Sequence, residues 1–287
     1  MNENTVMHML TETSKFMMSF VIITKEDKVI VVDGGRAEDM LLLKEYIGGR
    51  KIGAWILTHA HYDHISGLIH ELRENGGKDF DIENIYYNFP PYELINNHDV
   101  PDYELLVCEV NECLPAFAEI EPLIRDKAHI VKQGDTICVD ECRIDFIYSY
   151  HEGLTVNLMN DSSLVFKLTA PNKSVLFLGD LGPLGGDHLY RESRHLLKAD
   201  VVQMAHHGHM CVGMEVYAAI GAKECMWCAP DWLWEESEII GYLDDKYYSA
   251  DSSRLRMYGT TMTRKRMDQL GATTHYVTKD GTQTILL

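Results

Sequence analysis

The sequence lacks any long apolar run, and no stretch approaches the roughly 18 apolar residues that a membrane-spanning helix needs. The first residues, MNENTVMHMLTETSK, also lack the basic start and apolar core of a secretory signal peptide. Neither a membrane span nor a signal peptide is therefore predicted, and we expect a cytoplasmic protein.

Positive charge is scarce. The chain has 26 lysines and arginines against 44 aspartates and glutamates, so its formal net charge is −18. Proteins bind nucleic acids by neutralising phosphates with lysine and arginine, so this composition argues against a nucleic-acid partner and favours a small-molecule substrate. The one dense basic run, Arg264 to Arg266, is typical of the solvated face of a C-terminal helix.

Low-complexity segments and internal repeats are absent as well. The chain has 287 residues, of which 46% are hydrophobic, enough to bury a substantial core. Short β-rich runs alternate with helical spacing throughout, which predicts one α/β domain over residues 1–287, with two sheets packed between outer helices. A helical insertion is predicted around residues 92–127, limited by Pro115 and Pro122.

Cysteine is present but does not indicate disulfide bonds. The seven cysteines are an odd number, and most lie within apolar stretches, as reduced core thiols do. The pair Cys225 and Cys228 has no second pair at zinc-finger spacing, so no thiolate metal site is expected.

The strongest chemical signal is the heptapeptide THAHYDH, which begins at Thr58. An apolar run precedes it and helical spacing follows it, so the heptapeptide lies where a buried strand leads into a helix. Residues two apart in an extended chain point the same way, so His59 and His61 can reach one point, while Asp63 and His64 aim elsewhere. Two directions predict two metal ions.

A structural explanation exists for each of these residues alone. A single histidine near a core is usually hydrogen-bonded there, and Asp63 could cap the following helix. That explanation does not account for three histidines and an aspartate within six residues. Imidazole and carboxylate together suit zinc, with manganese or iron as alternatives.

Two later strands also end in polar residues. The run SVLFLGD ends at Asp180, and the run VVQMAHH ends at His206 and His207. Side chains at the ends of separate strands can converge, and a carboxylate such as Asp180 can bridge two cations. Taken alone, Asp180 would be a turn residue before Gly182 and Pro183.

The order of these motifs resembles the metallo-β-lactamase superfamily: D-G-G from Asp33, T-H-x-H-x-D-H from Thr58, L-G-D ending at Asp180, and H-H-G from His206. The segments NDSSLVFKL, VLFLGDL, ADVVQMAHHGH and LGATTHYVTKDGTQTILL are similar to the branch with the competence DNA-uptake channel hydrolase domain and the choline-phosphate esterases. The resemblance implies an αββα four-layer sandwich and a dinuclear metal site used for hydrolysis.

The resemblance also implies roles for individual residues. It assigns six of them to two divalent metal ions: His59, His61 and Asp180 to the first, and Asp63, His64, Asp180 and His207 to the second. Two cations lower the pKa of a shared water, and Asp63 and Asp180 would orient the resulting hydroxide. His207 is favoured over His206 as the ligand because it stands directly before the glycine. His206 would then contact the substrate or protonate the leaving group.

The sequence departs from the wider superfamily in two places. Many members have a further metal-binding histidine before the strand that leads to the bridging aspartate, whereas this chain reads NLMND from Asn157. Asn157, Asn160 and the more distant His151 stay open as completing ligands. Near the C-terminus, Tyr258-Gly259 is followed by two threonines instead of the His-Pro pair of relatives, so a substrate contact is expected to be missing.

The expected activity is hydrolysis of a small phosphodiester or phosphate ester. A lactonase or thioesterase would use the same metals, and a nuclease would need a basic track that the sequence does not show. A flavodiiron-type redox protein would need a glutamate in place of His61. The aromatic run from Trp227 to Trp234, and Tyr86 with Tyr87, could wall the pocket or belong to the core.

Overall fold

The computed structural model describes residues 3–97, 110–150, 154, 157–235 and 258–287. Within these ranges the strands are β1 (Val6–Met9), β2 (Ser19–Ile23), β3 (Val29–Asp33), β4 (Ile52–Ile56), β5 (Ile85–Tyr87), β6 (Ala128–Ile130), β7 (Thr136–Val139), β8 (Cys142–Tyr148), β9 (Val165–Thr169), β10 (Ser174–Phe177), β11 (Val201–Gln203), β12 (Glu224–Trp227), β13 (Thr274–Val277) and β14 (Gln283–Leu286). The helices are α1 (Met40–Ile47), α2 (Tyr62–Asn75), α3 (Tyr92–Asn97), α4 (Val110–Ile124), α5 (Leu158–Asp161), α6 (Pro183–Ser193), α7 (Met214–Ile220), α8 (Asp231–Trp234) and α9 (Thr260–Gln269). None of them is long and apolar enough to cross a membrane.

The strands form two seven-stranded sheets. The first has the order β14-β1-β2-β3-β4-β5-β6, and the second has the order β13-β12-β11-β10-β9-β8-β7. The hairpins β2–β3 and β9–β10 are antiparallel pairs, whereas β3 to β6 and β10 to β13 run parallel. Parallel neighbours need a crossover, and α2 provides it between β4 and β5.

Strand β4 shows why the sheets lie inside the molecule. Ala54 and Ile56 face the core between the sheets, while Trp55 and Leu57 face the other side, under the helices. Strands buried on both faces read as continuous apolar runs, which is the pattern of this segment. Between the sheets, the rings of Phe20 and Phe177 meet edge to face at 5.1 Å. The αββα sandwich predicted from the sequence is confirmed.

Part of the predicted helical insertion lies outside the described residues, namely 98–109. Helix α4 follows, and its apolar face is buried against α2 and the first sheet, with the ring of Phe117 4.9 Å from that of Tyr87. The helix continues through Pro115 and Pro122 because its packed apolar face offsets the lost backbone hydrogen bonds. It is a component of the outer helical layer.

Two elements differ from the sequence prediction. Strand β1 was not predicted, because its four residues are too few to show a period, yet it pairs with both β2 and β14. The helical spacing of apolar residues in the sequence predicts a helix from Tyr190, but helix α6 begins at Pro183, where the fixed proline φ suits the first helical turn.

Candidate metal centre

The first loop of the site connects β4 to α2. His61 is the last extended residue (φ −94°, ψ 157°), and the helix begins at Tyr62, three residues earlier than the apolar spacing indicated. Asp63 and His64 therefore lie in the first helical turn, while His59 and His61 precede it. The Nε2 atom of His59 is 3.0 Å from Nδ1 of His61, so these two imidazoles do converge.

Asp33, at the end of β3, holds this loop through contacts with Thr58 and His64. Its Oδ1 accepts a hydrogen bond from the backbone N–H of Thr58 (2.7 Å), and its Oδ2 accepts one from the Thr58 hydroxyl (2.8 Å). The same Oδ2 lies 2.7 Å from Nδ1 of His64. This contact directs Nε2 of His64 into the site. The sequence showed Asp33 only as part of a motif, without this role.

The second loop brings in Asp180 after β10. Its backbone N–H donates to the hydroxyl of Ser163 (3.0 Å). Gly179 precedes it with a φ of +56°, and a Cβ there would lie 2.9 Å from the Cβ of Ser163 and 3.0 Å from that of Thr58. A larger side chain would not fit, so the glycine permits the close approach that places Asp180.

The third loop holds His206 and His207. The sequence predicted that β11 continues through them, which is wrong: the strand ends at Gln203, and a 3₁₀ turn follows with both histidines in the left-handed region (φ 49° and 56°). His207 donates from Nδ1 to the carbonyl of Cys228 at 2.8 Å, which directs its Nε2 towards the site.

Asp180 stands at the centre of the cluster. Its Oδ2 lies 3.2 Å from Nε2 of His64, 3.4 Å from Nε2 of His207 and 3.7 Å from Nε2 of His59. Oδ2 of Asp63 lies 3.1 Å from Nε2 of His207. The side chains form two groups that share Asp180: His59, His61 and Asp180, and Asp63, His64, Asp180 and His207. The structure thus brings together all six residues that the sequence assigned to two metal ions.

Three atoms of the cluster have no hydrogen-bond partner within the described chain, although all are buried: Nε2 of His61, Nε2 of His64 and Oδ1 of Asp180. A buried polar atom without a partner costs about 1–3 kcal/mol, and buried carboxylates need compensating positive charge. Imidazole nitrogens and carboxylate oxygens are also the donor set of zinc, manganese and iron. The residues therefore fit a pair of divalent cations.

The cluster divides into two electrostatic classes. Burial lowers the pKa of His59 well below its ordinary value and lowers that of His61 to about 4, which leaves both imidazoles neutral. Burial also opposes protonation of His207, but Asp180 and Asp63 outweigh it and raise the pKa to about 10. In return, His64 and His207 overcome burial and hold the pKa of Asp180 well below its usual range. The carboxylates are ionised and attract positive charge.

His206 lies at the rim. Its Nε2 is 4.0 Å from Oδ2 of Asp180, its side chain is 14% exposed, and its ring packs against His209 at 4.5 Å. Burial, with a further contribution from His209, lowers its pKa to about 3. It belongs to neither of the two groups.

The aromatic ring of Phe16 borders the site. It meets His207 at 5.1 Å and Trp232 at 5.9 Å, and Trp232 is 60% exposed. Of the predicted aromatic run, Trp232 therefore packs against a ring that borders the site, whereas Trp227 is fully buried in the core. Phe16 was not predicted, because a single aromatic residue in a loop carries no periodic signal.

Tyr86 and Tyr87 do not wall the site. Tyr86 packs with the core between the sheets, and Tyr87 packs against α4. Both are core residues.

The segment before β9 contains two of the three candidates for a completing ligand, Asn157 and Asn160, while His151 lies outside the described residues. Asn160 is buried, and its Oδ1 has no hydrogen-bond partner within the described chain. Asp161 accepts the backbone N–H of Gly185 at 2.8 Å, and burial raises its pKa to about 7.

Gly208, directly after His207, has a φ of +96°, and a Cβ there would lie 2.5 Å from Cζ3 of Trp227. We expect Gly208→Ala to lower the free energy of unfolding by about 2–4 kcal/mol, from strain and overpacking. The control is Gly49→Ala, at a glycine with φ +71° where nothing lies within 4 Å of the new Cβ. Its free energy of unfolding should fall by about 1 kcal/mol. Urea unfolding measures the free energy of unfolding of both variants. If both lose the same amount, the contact with the Trp227 ring does not contribute.

Comparison with known proteins adds family information. Residues 17–120 match the family model for the metallo-beta-lactamase superfamily. The chain has the fold of that superfamily. The matched range contains the Asp33 turn and the whole first loop of the metal centre, but ends before Asp180 and His207. No curated protein matches the chain.

Solved structures with a similar fold align with the rest of the chain as well. YhfI of Bacillus subtilis, a metallo-beta-lactamase fold protein, aligns with a TM-score of 0.55 at 14% identity, over 98% of this chain and 100% of its own. CmlA of Streptomyces venezuelae, a diiron β-hydroxylase, aligns with a TM-score of 0.54 at 12% identity. That alignment covers all of this chain but only 55% of CmlA. At these identities the likeness is one of fold.

Proposed function

We propose that this protein is a metal-dependent hydrolase that binds two divalent cations and acts on a small phosphodiester or phosphate ester. The observation that carries the proposal is the pair of buried histidine and aspartate groups that share Asp180. Three of their buried atoms, Nε2 of His61, Nε2 of His64 and Oδ1 of Asp180, have no hydrogen-bond partner within the described chain, and bound cations would give them partners. Zinc is the first choice for this donor set, with manganese or iron as alternatives.

The residues of the site have three roles: metal binding, orientation of the attacking group, and positioning of the ligands. His59, His61 and Asp180 would hold one cation, and Asp63, His64, Asp180 and His207 the other. When bound, two cations supply Lewis-acid stabilisation of the oxyanion and an activated water near neutral pH. Asp63 and Asp180 carry the negative charge that orients the attacking group. Asp33 and the Cys228 carbonyl fix the directions of His64 and His207.

His206 is proposed to contact the substrate or to protonate the leaving group. Its position supports either role, because Nε2 lies 4.0 Å from Oδ2 of Asp180 and the side chain is 14% exposed at the rim of the site.

The substrate class rests on two observations. The net charge of −18 opposes long polyanions, which argues for a small substrate over a nucleic acid. The resemblance of NDSSLVFKL and AHHGH to the choline-phosphate esterase branch favours phosphate esters over acyl substrates. The same centre could hydrolyse a lactone or a thioester, and this is the second candidate.

The test combines metal analysis with a substrate panel. We expect close to two transition-metal ions per chain by mass spectrometry after mild purification and reconstitution. We also expect kcat/KM for bis-p-nitrophenyl phosphate to exceed that for a lactone, a thioester and a β-lactam. Metal content well below one per chain would refute the metal centre, and the reverse order of kcat/KM would refute the phosphodiester assignment.

One further outcome would change the class of reaction. Two iron ions per chain, with oxygen uptake and no hydrolysis, would place the chain functionally with the diiron β-hydroxylase that shares its fold. Oxygen-electrode measurements on the iron-loaded protein make this distinction.

A further inference from the structure

Arg36 lies beside the metal centre and was not assigned a role by the sequence. It follows Gly35, whose backbone N–H donates to the carbonyl of His64 at 3.1 Å. The Cζ atom of Arg36 lies 4.7 Å from the ring centroid of Tyr62 and 5.3 Å from that of Phe16. Tyr62 stands between two proposed ligands in the sequence, and Phe16 packs on a third, His207. One aromatic ring therefore separates the guanidinium from a metal ligand.

The guanidinium has almost no polar partners. Arg36 is only 8% exposed, and its Nε donates to the carbonyl of Phe16 at 3.2 Å. Its terminal nitrogens make no hydrogen bond or ion pair with the described residues, and they are not fully shielded from solvent. The nearest acid in sequence, Asp39, uses one oxygen on the backbone N–H of Arg36 and the other on Thr13.

Arg36 has no carboxylate partner among the described residues, although the chain is acidic. Acidic residues outnumber basic ones by 44 to 26, and exposed arginines such as Arg143 and Arg191 pair with nearby aspartates. The terminal nitrogens of Arg36 reach solvent and have no partner among the described residues, while the cation–π contacts with two rings hold the guanidinium in place. An anionic ligand would supply the charge-assisted hydrogen bonds that the protein leaves unmade.

We propose that Arg36 binds a second anionic group of the substrate, a carboxylate or a phosphate, next to the bond that the metal centre cleaves. The inference rests on the proposed hydrolytic function and specifies its substrate: a small ester with an additional negative charge. A guanidinium presents a fork of donors that matches both oxyanions, and the stacked rings hold it in place. In a chain of net charge −18, Arg36 gives the site a local attraction for small anions.

The kinetic test uses three phosphodiesters with a p-nitrophenyl leaving group. The second ester group is ethyl, ethyl with a terminal carboxylate, or ethyl with a terminal phosphate. For metal-loaded protein, we expect the diester with a terminal carboxylate or the one with a terminal phosphate to exceed the plain ethyl diester in kcat/KM by roughly tenfold or more, mainly through KM. Whichever of the two is preferred identifies the second anion. Arg36→Gln should abolish the preference, and the control Arg143→Gln, at an exposed and paired arginine, should retain it.

A binding measurement makes the inference testable without turnover. In calorimetric titrations of metal-loaded native protein, 3-phosphonopropionate or propane-1,3-bisphosphonate should bind roughly tenfold more tightly than ethylphosphonate, and Arg36→Gln should remove the difference. Metal content is checked after each titration. If no phosphodiester is turned over, the proposed function fails, and the titrations still decide the role of Arg36.

Arg36→Lys is the second variant, in case Arg36→Gln does not fold. Lysine keeps the charge but loses the planar fork, so the preference should shrink without disappearing. An undiminished preference in Arg36→Gln, or in Arg36→Lys when that is the variant that folds, would overturn the inference. The absence of any preference in the native protein would overturn it too.

Discussion

Replacing Asp180 by asparagine should release the cation held with His59 and His61 first, and activity should fall by roughly a hundredfold or more. Asp180 is the one residue common to both ligand groups. The group with His59 and His61 has no other carboxylate, so asparagine leaves it with two neutral imidazoles and water. Such a site binds a divalent cation weakly.

The other group should survive this change in large part. Asp63, His64 and His207 stay in place whatever occupies position 180, and Oδ2 of Asp63 lies 3.1 Å from Nε2 of His207. We therefore expect about one metal ion per chain in Asp180→Asn, held by these three residues.

His207→Ala is the matched comparison, because it removes a ligand from the second group only. Anomalous scattering from crystals of the two variants should show single peaks at different positions: near Asp63 and His64 in Asp180→Asn, and near His59 and His61 in His207→Ala. Metal titration supplies the stoichiometry. Identical peaks in both variants would show that Asp180 does not bridge two ions.

Four of the six proposed ligands could be predicted from short-range geometry, whereas Asp180 and His207 were assigned through the family resemblance of their motifs. His59, His61, Asp63 and His64 lie within six residues, and their directions follow from the change from extended chain to helix. The strands could also be recognised from local sequence, because burial on both faces produces unbroken apolar runs such as the one around Trp55.

The missed features depend on contacts between residues far apart in the chain. Asp33 reaches His64 across 31 positions, and no local pattern contains that contact. The turn at His206 and His207 was read as strand because the left-handed conformation of two histidines leaves no mark in hydropathy. Arg36 and Phe16 meet in loops, where side-chain type alone does not predict a contact. The phosphate-ester activity implied by the resemblance to one branch of hydrolases stays a prediction, and the substrate panel tests it.

Asp33→Asn should weaken metal binding by roughly 10- to 100-fold without removing a ligand. The carboxylate accepts from the N–H and the hydroxyl of Thr58 and holds Nδ1 of His64, using both oxygens. Asparagine has one oxygen and one NH₂, so it cannot maintain all three contacts. The imidazole of His64 then loses the partner that keeps its Nε2 directed at the cation. A loss of about 1–3 kcal/mol in the free energy of unfolding should accompany the change.

Saturating metal separates this positioning role from direct ligation. Because His64 and the other ligands are still present in Asp33→Asn, excess metal should restore two ions per chain and most of the activity, whereas His64→Ala should stay deficient. The control Asp145→Asn removes a partly exposed carboxylate that pairs with the exposed Arg143, and it should leave the metal Kd unchanged. Competition with a chromogenic chelator measures the Kd of each variant. If Asp33→Asn binds metal as tightly as the native protein, the orientation of His64 is set by the helix alone and Asp33 contributes only to the stability of the loop.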